Sequence, residues 1–294
     1  MVDFSWFYLT DILPGFLILT LGLYAFHKNM GDPLSRGFFF FTLSIWLVGI
    51  LGSILGTATN IREAMLIDKV HLLFSYLIFV QFLHFCLAFY QRQEVTSPYF
   101  LLAIYVPYLA LYFVGAFTNL INLDYFRTPF GYYSLPGPLN FLSYLAILAY
   151  MLGGIWLLFL ASRRTDNPFI KHQARLIALG AIIPALVGSI TDELLPLLGI
   201  RTVSLLMTSV YFMAVFLFVA ITRYRLISIS PNTAVPATTS AIPDALIATN
   251  AKGVIDYRND LAGELFHDDR IKKNLFDLSE QKWRESKARS FLVS

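Results

Sequence analysis

Long apolar stretches, separated by short polar segments, run through most of the chain. A membrane-spanning helix needs about 20 mainly apolar residues. Stretches that meet this requirement lie at residues 6–27, 37–58, 66–90, 98–118, 138–161, 172–195 and 202–222. Pro184 interrupts the sixth stretch, and a buried membrane helix tolerates proline because neighbouring groups satisfy the freed backbone. The pattern therefore predicts an all-α membrane protein, a bundle of seven transmembrane helices.

The composition supports a protein that is embedded in lipid. Apolar residues make up 57% of the 294 residues, and charged residues only 14%, whereas a soluble domain has about 25% charged residues. Too few polar side chains are present to cover a core of this size, so much of the surface must face lipid. The net charge of +3 argues against nucleic acid as the main partner. Cys86 is the sole cysteine, which excludes an internal disulfide and a CxxC metal site, and the sequence leaves any cofactor unknown.

Lysine and arginine are distributed unevenly between the two sides of the predicted bundle. Cytoplasmic loops of membrane proteins carry an excess of these residues. Nine lie on one side, namely Lys28, Arg36, Arg92, Arg163, Arg164, Lys171, Arg175, Arg223 and Arg225, and four on the other, namely Arg62, Lys69, Arg127 and Arg201. This bias predicts a multi-pass protein of the inner membrane, with its N-terminus outside and its C-terminus in the cytoplasm. The first stretch is expected to be retained, because no basic residue precedes it as in a secretory signal.

The composition changes after Pro231. Proline, threonine, serine and alanine become frequent, which is typical of a linker. Strands are then predicted at residues 244–249 and 254–258, with a turn at residues 250–253 and a short helix at residues 261–266. The predicted organisation is a seven-helix membrane domain, a linker and a small, partial α+β segment, at residues 1–229, 230–241 and 242–294.

Three short segments carry a family resemblance. IPDALIATNAKGVIDYRN at residues 242–259 resembles the opening of a PAS domain. RYRLISISP at residues 223–231 resembles the end of the seven-helix N-terminal region of bacterial sensor histidine kinases, and KHQAR at residues 171–175, followed by Pro184, is similar to the start of that family's sixth helix. The resemblance implies a sensory module of a two-component system. Its last helix would relay a stimulus to a cytoplasmic PAS domain and an output domain, with the relay at Arg223, Tyr224 and Arg225.

The C-terminal end differs from that of a complete kinase. Residues 242–294 are fewer than the roughly 100 residues of a typical domain, and no Gly-rich ATP-binding segment appears. His267-Asp-Asp-Arg270 superficially resembles a phospho-acceptor box, but it lacks the long helical hairpin that such a box needs. The chain is therefore either a fragment or a receptor whose partner supplies the output domain, and we expect it not to be an enzyme.

Polar side chains at membrane depth are the candidates for ligand binding. His71, Gln81 and His84 lie on the third stretch, where such groups usually face the bundle interior. They would serve either in ligand or proton sensing, or only in interhelical hydrogen bonds. Asp192 and Glu193, near the outer end of the sixth stretch, would either bind a cation or basic ligand or mark the water boundary.

A receptor and a small-solute transporter or channel subunit are the two competing functions. Ion paths usually need buried charged groups, none was recognised at the centres of the stretches, and a transporter does not account for the PAS-like tail. The outer loops leave no room for a separate binding domain, and the aromatic residues of the loop at 119–138 are explained as an interface belt. Expected partners are the lipid bilayer, an unknown small apolar or amphipathic ligand and a downstream or partner cytoplasmic signalling domain, and a homodimer stays open.

Overall fold

The computed structural model describes residues 6–91, 98–128, 131–165, 167–200, 204–224, 226, 247–249 and 255–258. The chain divides into two compact units, Met1–Ser228 and Ile229–Ser294, and each is described by itself.

The first unit is mainly helical. Its helices are α1 (Trp6–Lys28), α2 (Pro33–Gly56), α3 (Ile61–Gln91), α4 (Pro98–Phe117), α5 (Asn140–Arg164), α6 (Pro168–Gly188), the single turn α7 (Leu195–Leu197) and α8 (Leu206–Thr222). Among the described residues, the six helices from α1 to α6 are long and apolar enough to cross a membrane. The 17 residues of α8 are equally apolar but shorter, and extend about 26 Å at the usual helical rise. These elements fit the predicted membrane helical bundle.

Capping residues set where two of the helices begin. The Asp32 carboxylate accepts a hydrogen bond from the Ser35 backbone N–H at 3.0 Å, and proline occupies the first position of α2. Asn167 caps α6 in the same way, with its Oδ1 accepting from the Phe169 N–H at 2.9 Å. These helices therefore begin at residues 33 and 168, earlier than the apolar stretches at 37 and 172, because hydropathy does not register a polar capped turn.

Six helices form a closed ring. In the order α1, α2, α3, α5, α6 and α8, each helix packs on the next, and α8 returns to α1. α4 packs on the outside of α3. The ring interior is filled by apolar side chains, among them Phe41, Phe82, Phe85 and the sole cysteine, Cys86, which is fully buried. The Phe41 and Phe85 rings stack with their centroids 6.2 Å apart.

A β-hairpin connects α4 to α5. Strands β1 (Asn122–Thr128) and β2 (Gly131–Pro136) pair antiparallel, with Tyr125 opposite Ser134. The sequence predicts an interface belt for the aromatic residues of this segment and no strands, so the all-α description is incomplete. Gly131 has a φ angle of +116°, and a Cβ there would lie 2.5 Å from the Gly56 Cα atom. The beginning of β2 therefore rests directly on the end of α2.

The hairpin defines two ends of the bundle. We call the end that carries β1 and β2 the hairpin end, and the opposite end, where α8 terminates at Thr222, the tail end. At the hairpin end α6 runs into a π-helical segment, Ser189–Leu194, and then into α7. The π-helical segment lies beyond Pro184, which is accommodated inside α6 as predicted. Such segments are rare, and they occur frequently at functional sites.

The second unit contains two short described strands. β3 (Ile247–Thr249) and β4 (Ile255–Arg258) pair antiparallel, with Ile247 opposite Arg258. They lie within the two strands that the sequence predicts. The predicted linker at 230–241, the turn at 250–253, the helix at 261–266 and His267 lie outside the described residues.

Candidate functional site

A cavity of about 310 Å³ opens among the helices at the hairpin end. Its wall combines residues from the beginnings of α1, α3, α5 and α8, from the ends of α2 and α6, and from the hairpin. This size lies at the lower end of the range for small-molecule sites, roughly 300–1,000 Å³. The cavity is therefore large enough for a small organic molecule.

Asp68 joins α3 to the hairpin on one side of this cavity. Its side chain is buried, and its Oδ2 accepts hydrogen bonds from the Tyr125 hydroxyl at 2.5 Å and from the Asn122 side-chain amide at 3.0 Å. The imidazole of His71 lies 3.6 Å from the other carboxylate oxygen. Burial, together with the neighbouring carboxylate, raises the pKa of the Tyr125 hydroxyl well above its usual range. The hydroxyl therefore keeps its proton and remains a donor.

His71 faces the cavity one helical turn after Asp68. The Ser75 hydroxyl donates to the His71 backbone carbonyl at 2.8 Å, and its oxygen lies 3.4 Å from the Nε2 atom of the ring. His71 thus lies between an acidic group and a hydroxyl. The two ring nitrogens of a neutral imidazole can donate one hydrogen bond and accept another, so His71 can bond to either kind of group at the cavity wall.

Asp192 reaches the cavity from the π-helical segment. Its carboxylate accepts hydrogen bonds from the Thr191 hydroxyl at 2.7 Å and from the Ser204 hydroxyl at 2.9 Å. Asp11, in the first turns of α1, lines the same cavity and interacts electrostatically with both Asp192 and His71. The closed ring of helices brings these residues together from distant positions in the sequence.

The site residues predicted from the sequence fall into two groups, those that line the cavity and those that do not. His71 and Asp192 line the cavity, whereas Gln81 and His84 lie outside it. The Nδ1 atom of His84 is 3.0 Å from the Tyr105 hydroxyl, so this side chain links α3 to α4. Gln81 has a buried Oε1 atom without a hydrogen-bond partner among the described residues. The side chain of Glu193 lies outside the described part of the structure, and ligand binding by any of these residues stays a prediction.

Asp11 and Asp68 are not among the site residues that the sequence predicts. Asp68 precedes His71 by one helical turn, and that spacing was a usable signal because residues three apart share a helix face. Asp11 gave no comparable signal, since its neighbours in the cavity come from the far end of the membrane domain.

The tail end holds a second polar contact, between α6 and the residues after α8. The ring of Tyr224 stacks on His172, with centroids 5.0 Å apart and an interplanar angle of 4°. The Gln173 side chain donates a hydrogen bond to the Tyr224 backbone carbonyl at 2.5 Å. Arg223 is exposed, and Arg225 lies outside the described residues. We call the group of His172, Gln173 and Tyr224 the tail-end contact.

The cavity and the tail-end contact both lie within the region that a known protein family matches. The family described as the N-terminal 7TM region of histidine kinase matches residues 12–231. The matched region includes His71, Asp68 and Asp192 at the hairpin end and Tyr224 at the tail end. No curated protein matches the chain.

Proposed function

The chain belongs to the family of N-terminal 7TM regions of histidine kinases, and from this premise we propose that it receives a stimulus in the hairpin-end cavity and relays it through α6 and α8. The 7TM region is the membrane sensor of such a kinase and not its catalytic part. The proposed relay leads to a PAS domain and an output domain, on this protein or on a partner.

One observation carries the proposal: the same two helices contribute to the cavity and to the tail-end contact. Leu206 and Met207 of α8 line the cavity, as do Pro184 and Gly188 of α6. At the other end of these helices, the tail-end contact joins the beginning of α6 to Tyr224. A ligand that displaces either helix at the cavity therefore acts on an element that ends at the tail-end contact.

Close packing between α6 and α8 supports transmission over this length. A Cβ on Gly180 would lie 3.0 Å from the Cβ of Phe216, and one on Gly188 would lie 2.7 Å from the Cδ1 of Leu206. Helices packed this closely move as a unit or slide past each other in discrete steps, because a packed interface deforms little. Sliding or tilting of α8 would change the stacking of Tyr224 on His172.

The proposed orientation places the hairpin end outside and the tail end in the cytoplasm of the inner membrane. The nine-to-four excess of lysine and arginine on the tail side supports it. In this arrangement the cavity is accessible from outside the cell, and the relay is proposed to pass inward through Arg223, Tyr224 and Arg225. The bilayer, an unidentified small ligand and a cytoplasmic signalling domain are the proposed partners, and a homodimer of the chain is compatible with the relay.

Kinase activity of a fusion protein tests the relay. The full chain is joined to the catalytic core of a characterised histidine kinase and reconstituted in nanodiscs. Tyr224→Ala removes the ring that stacks on His172, and Gln173→Leu removes the donor to the Tyr224 carbonyl. Loss of a hydrogen bond worth about 0.5–1.5 kcal/mol shifts a two-state equilibrium by roughly two- to tenfold, so we expect a change of that size in autophosphorylation.

Arg175→Gln is the matched control, because Arg175 is exposed on the same helix. It should leave autophosphorylation unchanged. The relay is refuted if Tyr224→Ala and Gln173→Leu both insert and fold normally and both show the autophosphorylation rate of the unmodified fusion.

A further inference from the structure

The hairpin-end cavity has an excess of acidic groups. Asp11, Asp68 and Asp192 line it, and His71 is the sole basic residue among the described lining residues, which include no lysine or arginine. The three acids come from different elements, Asp11 from α1, Asp68 from α3 and Asp192 from the π-helical segment, and all line the same cavity. The acidic side chains that line the cavity therefore outnumber the basic ones by three to one.

Hydrogen bonds within the protein do not remove this imbalance. Asp68 and Asp192 accept from neutral hydroxyl and amide donors, which satisfy their geometry but bring no positive charge. No described residue donates a hydrogen bond to the Asp11 carboxylate. Carboxylates removed from water are costly unless they are paired with opposite charge. A cation bound between Asp11 and Asp192 would supply that charge.

The remaining wall favours an organic cation over a metal ion. Much of it is apolar, formed by side chains such as Val48, Leu72, Phe79 and Met207. Tyr76 adds an aromatic ring, and the faces of such rings attract ammonium groups. Across the described part of the chain, no group of three or more histidine, cysteine or acidic residues is arranged to hold a metal ion. The volume of about 310 Å³ also exceeds what a single ion occupies.

We propose that this cavity binds a small organic ammonium ion, with its charged nitrogen between Asp11 and Asp192 and its apolar body against Leu72, Phe79 and Met207. The inference rests on the proposed function, because it gives the chemical class of the stimulus that the sensor receives. Asp68 holds the hairpin over the site and contributes to its negative potential.

A series of three probes with the same hexyl chain tests the charge preference. Hexylammonium, 1-hexanol and hexanoate are titrated against the full chain in nanodiscs of neutral lipid, with binding measured by calorimetry and by ligand-induced thermal stabilisation. Hydrogen bonds to charged groups are worth more than neutral ones, so we expect hexylammonium to bind at least about tenfold more tightly than hexanol. Hexanoate should not bind.

Asn substitutions at the two acids locate the site. Asp192→Asn removes the charge and keeps one of the two oxygens that accept from Thr191 and Ser204. Asp11→Asn removes the charge in α1. Each should weaken hexylammonium binding by about tenfold or more while leaving hexanol binding unchanged. Asp124→Asn is the control, because Asp124 is an exposed acid on the hairpin at the same end of the bundle. Monodisperse elution of each variant confirms folding.

Three outcomes overturn the inference. Equal affinity for hexylammonium and hexanol would mean that the carboxylates are protonated or compensated. Loss of binding in Asp124→Asn but not in Asp11→Asn or Asp192→Asn would place the cation elsewhere. Stabilisation by Ca²⁺ or Mg²⁺ that requires Asp11 and Asp192, without binding of hexylammonium, would show a metal site.

Failure of the relay is distinguishable from failure of this inference. Binding of hexylammonium that requires Asp11 and Asp192, with no effect of the tail-end variants on the kinase fusion, refutes the proposed relay alone. Activity that responds to Tyr224→Ala and Gln173→Leu, without preference for the ammonium probe, refutes the inferred ligand class alone.

Discussion

Tyr125→Phe should loosen the hairpin that covers the cavity. The substitution keeps the ring and removes only the hydroxyl, which donates to Asp68 over 2.5 Å and joins β1 to α3. A bond this short to a carboxylate is charge-assisted, and hydrogen bonds to charged groups contribute about 1.5–3 kcal/mol. The Asn122 amide remains as a donor to the same oxygen, so Asp68 stays partly satisfied and the bundle itself should remain folded.

The size of the effect follows from the lost bond. A change of about 1.5–3 kcal/mol in the opening free energy alters the opening equilibrium roughly 10- to 150-fold. Amide hydrogens that are protected by the pairing of β1 with β2 exchange through this opening. We therefore expect peptides covering residues 122–136 to exchange faster by that factor, measured by mass spectrometry on the chain in nanodiscs.

Tyr99→Phe provides the matched control, because Tyr99 is 84% exposed at the beginning of α4. Its exchange pattern should equal that of the unmodified chain. Unchanged exchange of the hairpin in Tyr125→Phe would refute the role assigned to the Asp68 bond. Equal acceleration in the interior of α3 would show a loss of global stability in place of local opening.

Two further predictions concern the hairpin and the orientation. Gly131→Ala should displace β2 from α2, because it combines a strained positive φ with a backbone clash at 2.5 Å from Gly56; strain alone costs about 1–3 kcal/mol. Gly199→Ala, with a φ of +76° and no atom within 4 Å, gives the effect of strain without the clash, so equal destabilisation by both would contradict the proposed contact. A phosphatase reporter fused after Leu226 should be inactive, and a tag before Met1 should be accessible from outside; phosphatase activity in the periplasm would reverse the orientation.

The helices were predictable because lipid imposes a strong pattern on the sequence. A spanning segment must be long, apolar and internally hydrogen-bonded, and each long stretch of this chain became a helix in the described structure. The ends were less predictable. Asp32 and Asn167 extend α2 and α6 through polar turns that hydropathy excludes.

The hairpin was not predicted because its residue types are typical both of β-strands and of the membrane interface. Tyr125, Tyr132 and Tyr133 belong to residue types that favour both strands and the membrane interface. Tertiary contacts distinguish the two. The Asp68 carboxylate on α3 accepts a hydrogen bond from the Tyr125 hydroxyl. Gly131 packs directly against Gly56 at the end of α2. Neither contact can be derived from residues 119–138 alone.

The cavity could be predicted only in part. His71 and Asp192 were recognised as polar groups within apolar stretches, but the sequence did not indicate that they share a site. Their meeting depends on the order of helices around the ring, in which α8 returns to α1 and brings Asp11 near Asp192. The centres of the apolar stretches hold no recognised charged group, whereas the acids that line the cavity lie towards the ends of the stretches.

The buried thiol of Cys86 is a natural probe for opening of the helix bundle. The thiol lies fully enclosed on α3, among the aromatic rings of the core. Thiol reagents that cannot enter a packed interior react with it only after the ring of helices has opened, so its rate of alkylation reports opening of the bundle. Cysteines introduced at Asp124 or Arg223, both exposed, would react at once in the folded chain. One protein thus offers a fast-labelling surface and a slow-labelling centre, and the ratio of the two rates measures how tightly the bundle is closed.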